Sequence, residues 1–340
     1  MTSARRFAGI IIAVAAVLVP VACDAPTAPP EQALRLTTHL GKTQYFENEP
    51  IYFVFEVANE GQHPQWVNFF GLSTQHLRAE VLDSNGYDLP GLDFVVDYVC
   101  SPRCGQPLDP GASLFDLGML QDRWGLFDGT LTNMYFGLHI PPGRYTVRAR
   151  FYWYAEEPRP SLIELWRPHP PPPIEAVPVS FRVVSRTPHE DSLFATAQRF
   201  ADMPWDTTQR AGFLGALVDY VTITAANDPA NPFLPYATVN LEGDARFFVG
   251  NPDAPTVDRL EAARFAIANA ERDTPAGAVT AAGVYADRPG DLITMAGMFA
   301  NSLTGRVAAA LYRQYTTPQQ YPPPRRFPCL PRGVIRVGRC

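Results

Sequence analysis

Lysine is almost missing from this chain: among 28 basic residues Lys42 is the single lysine, and all the others are arginines. That bias reflects codon composition more than chemistry. A surplus of positive charge is missing too, since the formal net charge is −6. General nucleic-acid binding rests on a basic footprint, so it is excluded as a function class. After the first twenty-odd residues no long apolar run occurs. A membrane-crossing helix needs about 20 apolar residues in succession, which excludes a polytopic membrane protein.

Catalytic motifs are equally scarce. Nucleophile elbows, H-E-x-x-H, phosphate loops and G-x-G-x-x-G do not occur. His39, His63, His76, His139, His169 and His189 are scattered, and no two stand three or four positions apart, so a helical pair of metal ligands does not arise. His76 and His139 fall in strand-like runs and read as structural. The stretch HEDS, from His189 to Ser192, contains the residue types of a triad, but neighbours in one helix start cannot take triad geometry. Asp83, Asp88, Asp93 and Asp97 recur around one hairpin; lacking the spacing of a calcium loop, they read as solvated turn residues. No enzyme, no metal and no cofactor is expected.

What is present begins at the amino end. Arg5 and Arg6 precede FAGIIIAVAAVLV, Phe7 to Val19, and small residues lead to Ala22–Cys23. A charged start, an apolar core too short to span comfortably and a small-residue exit make an export signal. With a cysteine at that exit the sequence resembles a bacterial lipoprotein. The resemblance implies removal of residues 1–22, a diacylglyceryl group on the Cys23 sulfur, and a chain held at a membrane of the cell envelope, facing the periplasm or the exterior. Two or more acyl chains hold firmly where one binds only marginally. Residues 23–33, rich in Pro and Ala, are read as an extended tether.

Cys100, Cys104, Cys329 and Cys340 remain. An even number in an oxidising compartment suggests two disulfides, from three possible pairings. Proximity favours Cys100–Cys104, within CSPRC, and Cys329–Cys340.

From Leu34 the apolar period becomes two. LRLTTHL, IYFVFEVAN, QWVNFF, HLRAEVLD, FVVDYV, NMYFGLHI, YTVRARFYW and VSFRVV are rich in Val, Phe and Tyr. The turn signals NEGQHP, SNG, LPG, LDPG and IPPG separate them. Asn85–Gly86 predicts a two-residue hairpin turn. Tyr145, Val147, Ala149, Phe151 and Trp153 share one face of their strand, with Arg148 and Arg150 on the other. Eight or so strands without an intervening helix predict an antiparallel β-sandwich over 34–185. YFENEPIYFVFEVANEG, a strand ending in D-x-N-G, LDPGASL and IPPGRYTVRARF follow one another in the order seen in an immunoglobulin-like domain of bacterial envelope proteins. The chain resembles the kind named after the BsuPI proteinase inhibitor, over Leu34 to Val184. That resemblance implies the fold and raises protease inhibition through a sandwich loop as an alternative activity; it marks no inhibitory residue.

Prolines crowd residues 155–178 and turn them into an extended insertion loop. Trp166 in its middle is a candidate recognition residue; the commoner fate of a large aromatic is to fold back onto the body. From Thr187 the pattern turns helical. T-P-H-E supplies a cap, a first-turn proline and a Glu at the third position. Helices are expected after Thr187, from Asp206 with Leu217, Val218 and Val221 on its inner face, and over Phe233–Phe248, Val257–Arg272, Ala276–Ala286 and Asp291–Tyr315. Paired alanine-rich helices loosely resemble tetratricopeptide-type repeats, so 186–317 is read as an α-helical bundle or short solenoid. Residues 318–340 form a Pro/Arg-rich tail, and no acidic residue follows Asp291. The expected function is that of a membrane-anchored, non-catalytic binding or scaffolding module with a protein or peptide partner in the envelope.

Overall fold

The structure, a computed structural model, describes residues 33–67, 77–90, 106–122, 139–153, 172–199, 207–234, 268–279 and 289–316. From Ala33 onward the chain forms one compact unit. Its strands are β1 (Leu34–Leu40), β2 (Gln44–Phe46), β3 (Tyr52–Asn59), β4 (Gln65–Val67), β5 (Leu77–Asp83), β6 (Gln106–Leu108), β7 (Ser113–Met119), β8 (Gly143–Phe151), β9 (Ile174–Glu175) and β10 (Val179–Val184). Its helices are α1 (Pro188–Gln198), α2 (Thr207–Asn227), α3 (Pro289–Met298) and α4 (Leu303–Thr316).

The first sheet has the order β1-β3-β7, and the second β2-β10-β8-β5 with β9 beside β8. All pairs are antiparallel except β2 with β10. β4 and β6 make a separate ribbon. Alternation in β8 falls as expected: Tyr145, Val147, Ala149 and Phe151 are buried, whereas Arg144 and Arg148 are exposed. These inward residues meet Leu36, Phe53, Phe55 and Val57 of the first sheet in one shared core. The fold is therefore mixed, with open antiparallel sheets and helices.

β3 does not alternate. Tyr52 to Val57 are all buried, because both faces of the first sheet are covered. Phe53, Phe55 and Val57 face the shared core; Tyr52 and Val54 face the helical segments. There Val54 and Phe115 pack on Ala278, Leu303, Val307 and Ala310, while Tyr52 and Met119 pack on Val279. Each fully buried large apolar side chain contributes about 1.5–3 kcal/mol, so this second layer holds α4 to the sheet chiefly by apolar contact. β7 was missed in the sequence because Asp116 and Gly118 interrupt its apolar pattern.

Turns differ in detail from expectation. The Gly86 N–H reaches the Asp83 carbonyl at 3.0 Å and the Asp83 N–H reaches the Tyr87 carbonyl at 2.8 Å; Gly86 has positive φ, 84°, and Asn85 does not. A two-residue hairpin turn of the expected kind needs positive φ at Asn85 as well, so the hairpin is closed instead by a three-residue loop, Ser84 to Gly86, with Gly86 in the left-handed region. In LDPG, Pro110 precedes Gly111 at φ 73°, and the Ala112 N–H bonds to the Asp109 carbonyl at 2.9 Å, as a type II turn requires.

The start of α1 matches its sequence signal: Thr187 is the N-cap, Pro188 opens the first turn, and the Glu190 carboxylate accepts the Thr187 N–H at 3.2 Å. Arg186 ties this helix to the sheets. Its Nε donates to Asp191 at 2.7 Å, its Nη1 donates to the Glu47 carbonyl at 2.8 Å, and its guanidinium lies 4.3 Å from the Phe194 ring centre. In α2, Leu217, Val218 and Val221 are buried. Of the expected helices at 233–248, 257–272 and 276–286 only the ends fall within the described residues, with helical turns at 268–270 and 275–279.

The single helix expected over Asp291–Tyr315 is instead two. Asn301 takes φ 73°, which ends α3, and Ser302 restarts the chain by accepting the Gly305 N–H on its Oγ at 3.1 Å. The corner is tight: a Cβ on Gly305 would stand 2.0 Å from the Phe299 carbonyl oxygen. Gly305→Ala is therefore expected to lower stability by about 1–3 kcal/mol. Gly215→Ala, in α2 where nothing lies within 4 Å, should raise it by about 0.5–1 kcal/mol. Thermal unfolding of the two variants checks both signs.

Candidate functional site

Two buried carboxylates sit where the first sheet meets the helical segments. Glu56, in the middle of β3, keeps 5% side-chain exposure. Its Oε2 lies 2.9 Å from His39 Nε2 of β1, and its Oε1 accepts Ser113 Oγ of β7 at 2.8 Å. Arg306 Nη1, from α4, donates to the same Oε1. All three partners therefore come from different elements. Register explains the meeting: Glu56 pairs with Thr37 and Phe115, so His39 and Ser113 are its diagonal neighbours on one face. Arg306 arrives because α4 is seated on that face.

Burial alone would push the Glu56 carboxyl up. Hydrogen bonds from His39, Arg306 and Ser113, with the charge of Arg306, outweigh it and hold the pKa at about 2. An ionised carboxylate has no proton to give, so His39 Nε2 is the donor. Ser, His and an acid are thus gathered, but in the wrong order for nucleophilic catalysis. A triad places the imidazole between the hydroxyl and the acid. Here the carboxylate is central and Ser113 donates its proton to it, which leaves the hydroxyl no activating base. The arrangement fastens a helix to a sheet.

The second carboxylate is Glu49, with 3% side-chain exposure. It accepts Lys42 Nζ at 2.7 Å and the Phe46 N–H at 2.9 Å. Burial raises its pKa, the nearby Lys42 opposes that rise, and the charge of Glu271 adds to it. Burial likewise pushes the Tyr45 phenol up; its oxygen accepts the Lys42 N–H at 3.0 Å. Glu49, Lys42 and Tyr45 border a cavity of about 30 Å³ closed by Asn231, Glu271 and Thr274. That volume suits about one water molecule, not a substrate. Gln121 braces the same corner, donating to the Glu49 carbonyl at 2.6 Å and accepting the Ile51 N–H at 3.0 Å.

The residues singled out from sequence fall elsewhere. Cys23, Cys100, Cys104, Cys329, Cys340 and Trp166 lie outside the described residues, as do His76, Asp93 and Asp97. Asp83 accepts the N–H groups of Asn85 and Tyr87 at 2.8 and 2.9 Å, and Asp88 accepts that of Val81 at 2.9 Å, so both close a turn. His139 meets Asn48 Oδ1 at 3.1 Å and Glu47 at 3.5 Å. Neither carboxylate was singled out from sequence. A lone Glu inside YFVFEVAN was a signal that a counter-charge must exist, but nothing local pointed to Arg306.

Comparison with known proteins adds little. No protein-family model matches the chain, and no curated protein matches it significantly. A solved structure of a candidate lipoprotein from Bacillus subtilis is similar at 12% identity, over 82% of this chain and 80% of that one, with a TM-score of 0.19. A score that low carries no argument about fold or function.

Acid separates the two carboxylates. Because the Glu56 pKa is depressed from 4.5 to about 2, its contribution is complete above about pH 4.5 and disappears as pH falls through about 2. Glu56→Gln should lose about 2–3 kcal/mol at pH 7, and the gap to the parent should close towards pH 2 in urea unfolding. Glu49 behaves oppositely: its raised pKa means that ionisation weakens the fold as pH rises. Lys42→Met removes the cation beside it and should be destabilising at pH 7, with a deficit that shrinks as pH falls towards the ordinary carboxylate range and is absent below it, where Glu49 is protonated folded and unfolded alike. Denaturant midpoints across that range check the sign.

Proposed function

We propose that the protein is a lipid-anchored component of the bacterial cell envelope that acts as a non-catalytic binding or scaffolding module. The observation that carries this reading is the amino-terminal pattern: Arg5–Arg6, the apolar run Phe7–Val19, and Ala22–Cys23 followed by a Pro/Ala tether. Support also comes from where that tether leads, since the compact unit begins at Ala33. Among the described residues no helix is long and apolar enough to cross a membrane. A non-catalytic role is favoured by the chemistry of the two buried carboxylates, both of which are occupied in joining elements.

The strand-rich part is read as immunoglobulin-like. Three features support it: the sheet orders β1-β3-β7 and β5-β8-β10, their shared core, and Tyr145. This tyrosine stands near the start of β8 and donates its hydroxyl to the Pro141 carbonyl at 2.7 Å, in the manner of the tyrosine corner of such sandwiches. The helical part, 186–317, is read as a second module that presents further surface for a protein or peptide partner.

Fractionation of the native host tests the anchor. The parent chain should pellet with membranes and show an intact mass above that of the polypeptide from Cys23 onward, by the weight of its acyl groups. Cys23→Ala should carry no such addition. Parent protein of bare polypeptide mass in the soluble fraction would refute the reading.

A further inference from the structure

The outer face of the second sheet carries an unusual charge arrangement. Arg144 and Arg148 of β8, Arg78 of β5 and Arg182 of β10 are exposed, and Arg150 of β8 is about two-fifths exposed. Register sets them against one another: Arg78 pairs with Arg150, and Arg144 pairs with Arg182. Like charges directly opposite on one face of a sheet are destabilising. Among the described residues the acids on the face are Glu80, opposite Arg148, Asp88, opposite Leu82, and Glu175, whose carboxylate lies 3.1 Å from Arg150. Arg78 rests 5.5 Å from the Tyr152 ring centre. Arg144, Arg148 and Arg182 are in no ion pair among the described residues. In a chain of net charge −6, this face thus sets five arginines against three acids among the described residues.

We propose that this face is a docking surface for the anionic headgroups of a lipid bilayer. It deepens the membrane reading above and rests on it for the location of the protein. Geometry favours a bilayer over a folded partner. From Arg144 to Arg150 the strand runs about 20 Å, and three strands at about 4.8 Å spacing give the face its width. The charges spread along several strands of one sheet face, whereas protein partners take their energy from anchors seated in pockets. Reach is sufficient as well. The eleven residues from Cys23 to Ala33 span at most about 36–40 Å, which keeps the sheet within contact of the surface that holds the acyl group. Firm attachment then has two components, acyl chains and a basic patch.

Vesicle co-sedimentation tests the proposal with the chain from residue 23 onward carrying Cys23→Ser, so that no acyl group takes part. Removing the leader leaves the compact unit whole, and a failure of acylation in the host would not alter this measurement. The protein should pellet with vesicles containing phosphatidylglycerol and not with phosphatidylcholine alone. Binding should be lost between about 0.01 and 1 M salt, as the screening length falls from about 30 to 3 Å. Arg144→Gln/Arg182→Gln should lower the partition coefficient by roughly fivefold per charge, with a thermal midpoint equal to or above that of the parent because the cross-strand repulsion is gone. Three results would overturn the proposal. These are a double variant that keeps the parent's binding, loss of binding on substitution of Arg325, Arg326, Arg332, Arg336 and Arg339 by Gln instead, and soluble polyphosphate that binds with this arginine dependence while vesicles do not.

Discussion

Burial of one acid, Glu56, conditions how the molecule is put together. A carboxylate at the centre of an otherwise apolar strand is costly unless its lone pairs are met and its charge is answered. Two of its partners, His39 and Ser113, lie on the strands that flank β3 and are present as soon as the first sheet is in register. The third, Arg306, lies 250 positions away and is present only once α4 is seated. Apolar contacts of Val54, Phe115, Leu303 and Val307 supply most of the attraction between the layers. They are non-directional, however, and would tolerate a helix slid along the sheet. The guanidinium bonded to Glu56 does not tolerate it, because a displaced α4 would strand a buried charge. Packing thus supplies the affinity of the helix for the sheet, and the ion pair selects its position.

Glu49 answers a different demand. It sits where the chain passes from β2 into β3, and it caps the Phe46 N–H while Gln121 braces the backbone on either side of Pro50. Desolvation outweighs the help from Lys42, so this acid is held in a poorer setting than Glu56. The contrast comes from the number and kind of donors: Glu56 receives a guanidinium, an imidazole and a hydroxyl, whereas Glu49 receives one ammonium and one amide with a second acid, Glu271, nearby. Lys42, the single lysine of the chain, is thereby given a structural task at the sheet–helix boundary.

What was legible in the sequence was what depends on near neighbours. Tyr145, Val147, Ala149 and Phe151 alternate, and their strand is half-buried accordingly. Thr187, Pro188 and Glu190 stand within one turn, and the helix begins there. Asp109-Pro110-Gly111 dictated its turn through the φ preferences of Pro and Gly. Legibility failed where long-range packing decides. The continuous burial of Tyr52 to Val57 was visible as a run, but the layer that covers its second face comes from residues after 268. Asn301 broke a helix whose apolar pattern ran straight through it. The Glu56 cluster is assembled from segments up to 250 positions apart, so composition and periodicity had no means to reveal it; Glu49 meets Lys42 and Phe46 within seven positions, but only the fold buries that group.

The passage from β1 to β2 has a mechanical side. β1 zips along β3 in the first sheet, and after Gly41–Thr43 the same strand path joins the second sheet by running parallel to β10. The leading segment is therefore stitched into both halves of the core within thirteen residues of Leu34. Tension entering at Ala33 is carried by β1 and then passed across the bend to β2, so the two sheets share it. A pull applied at Ala33 would in this way meet a segment fastened to both sheets.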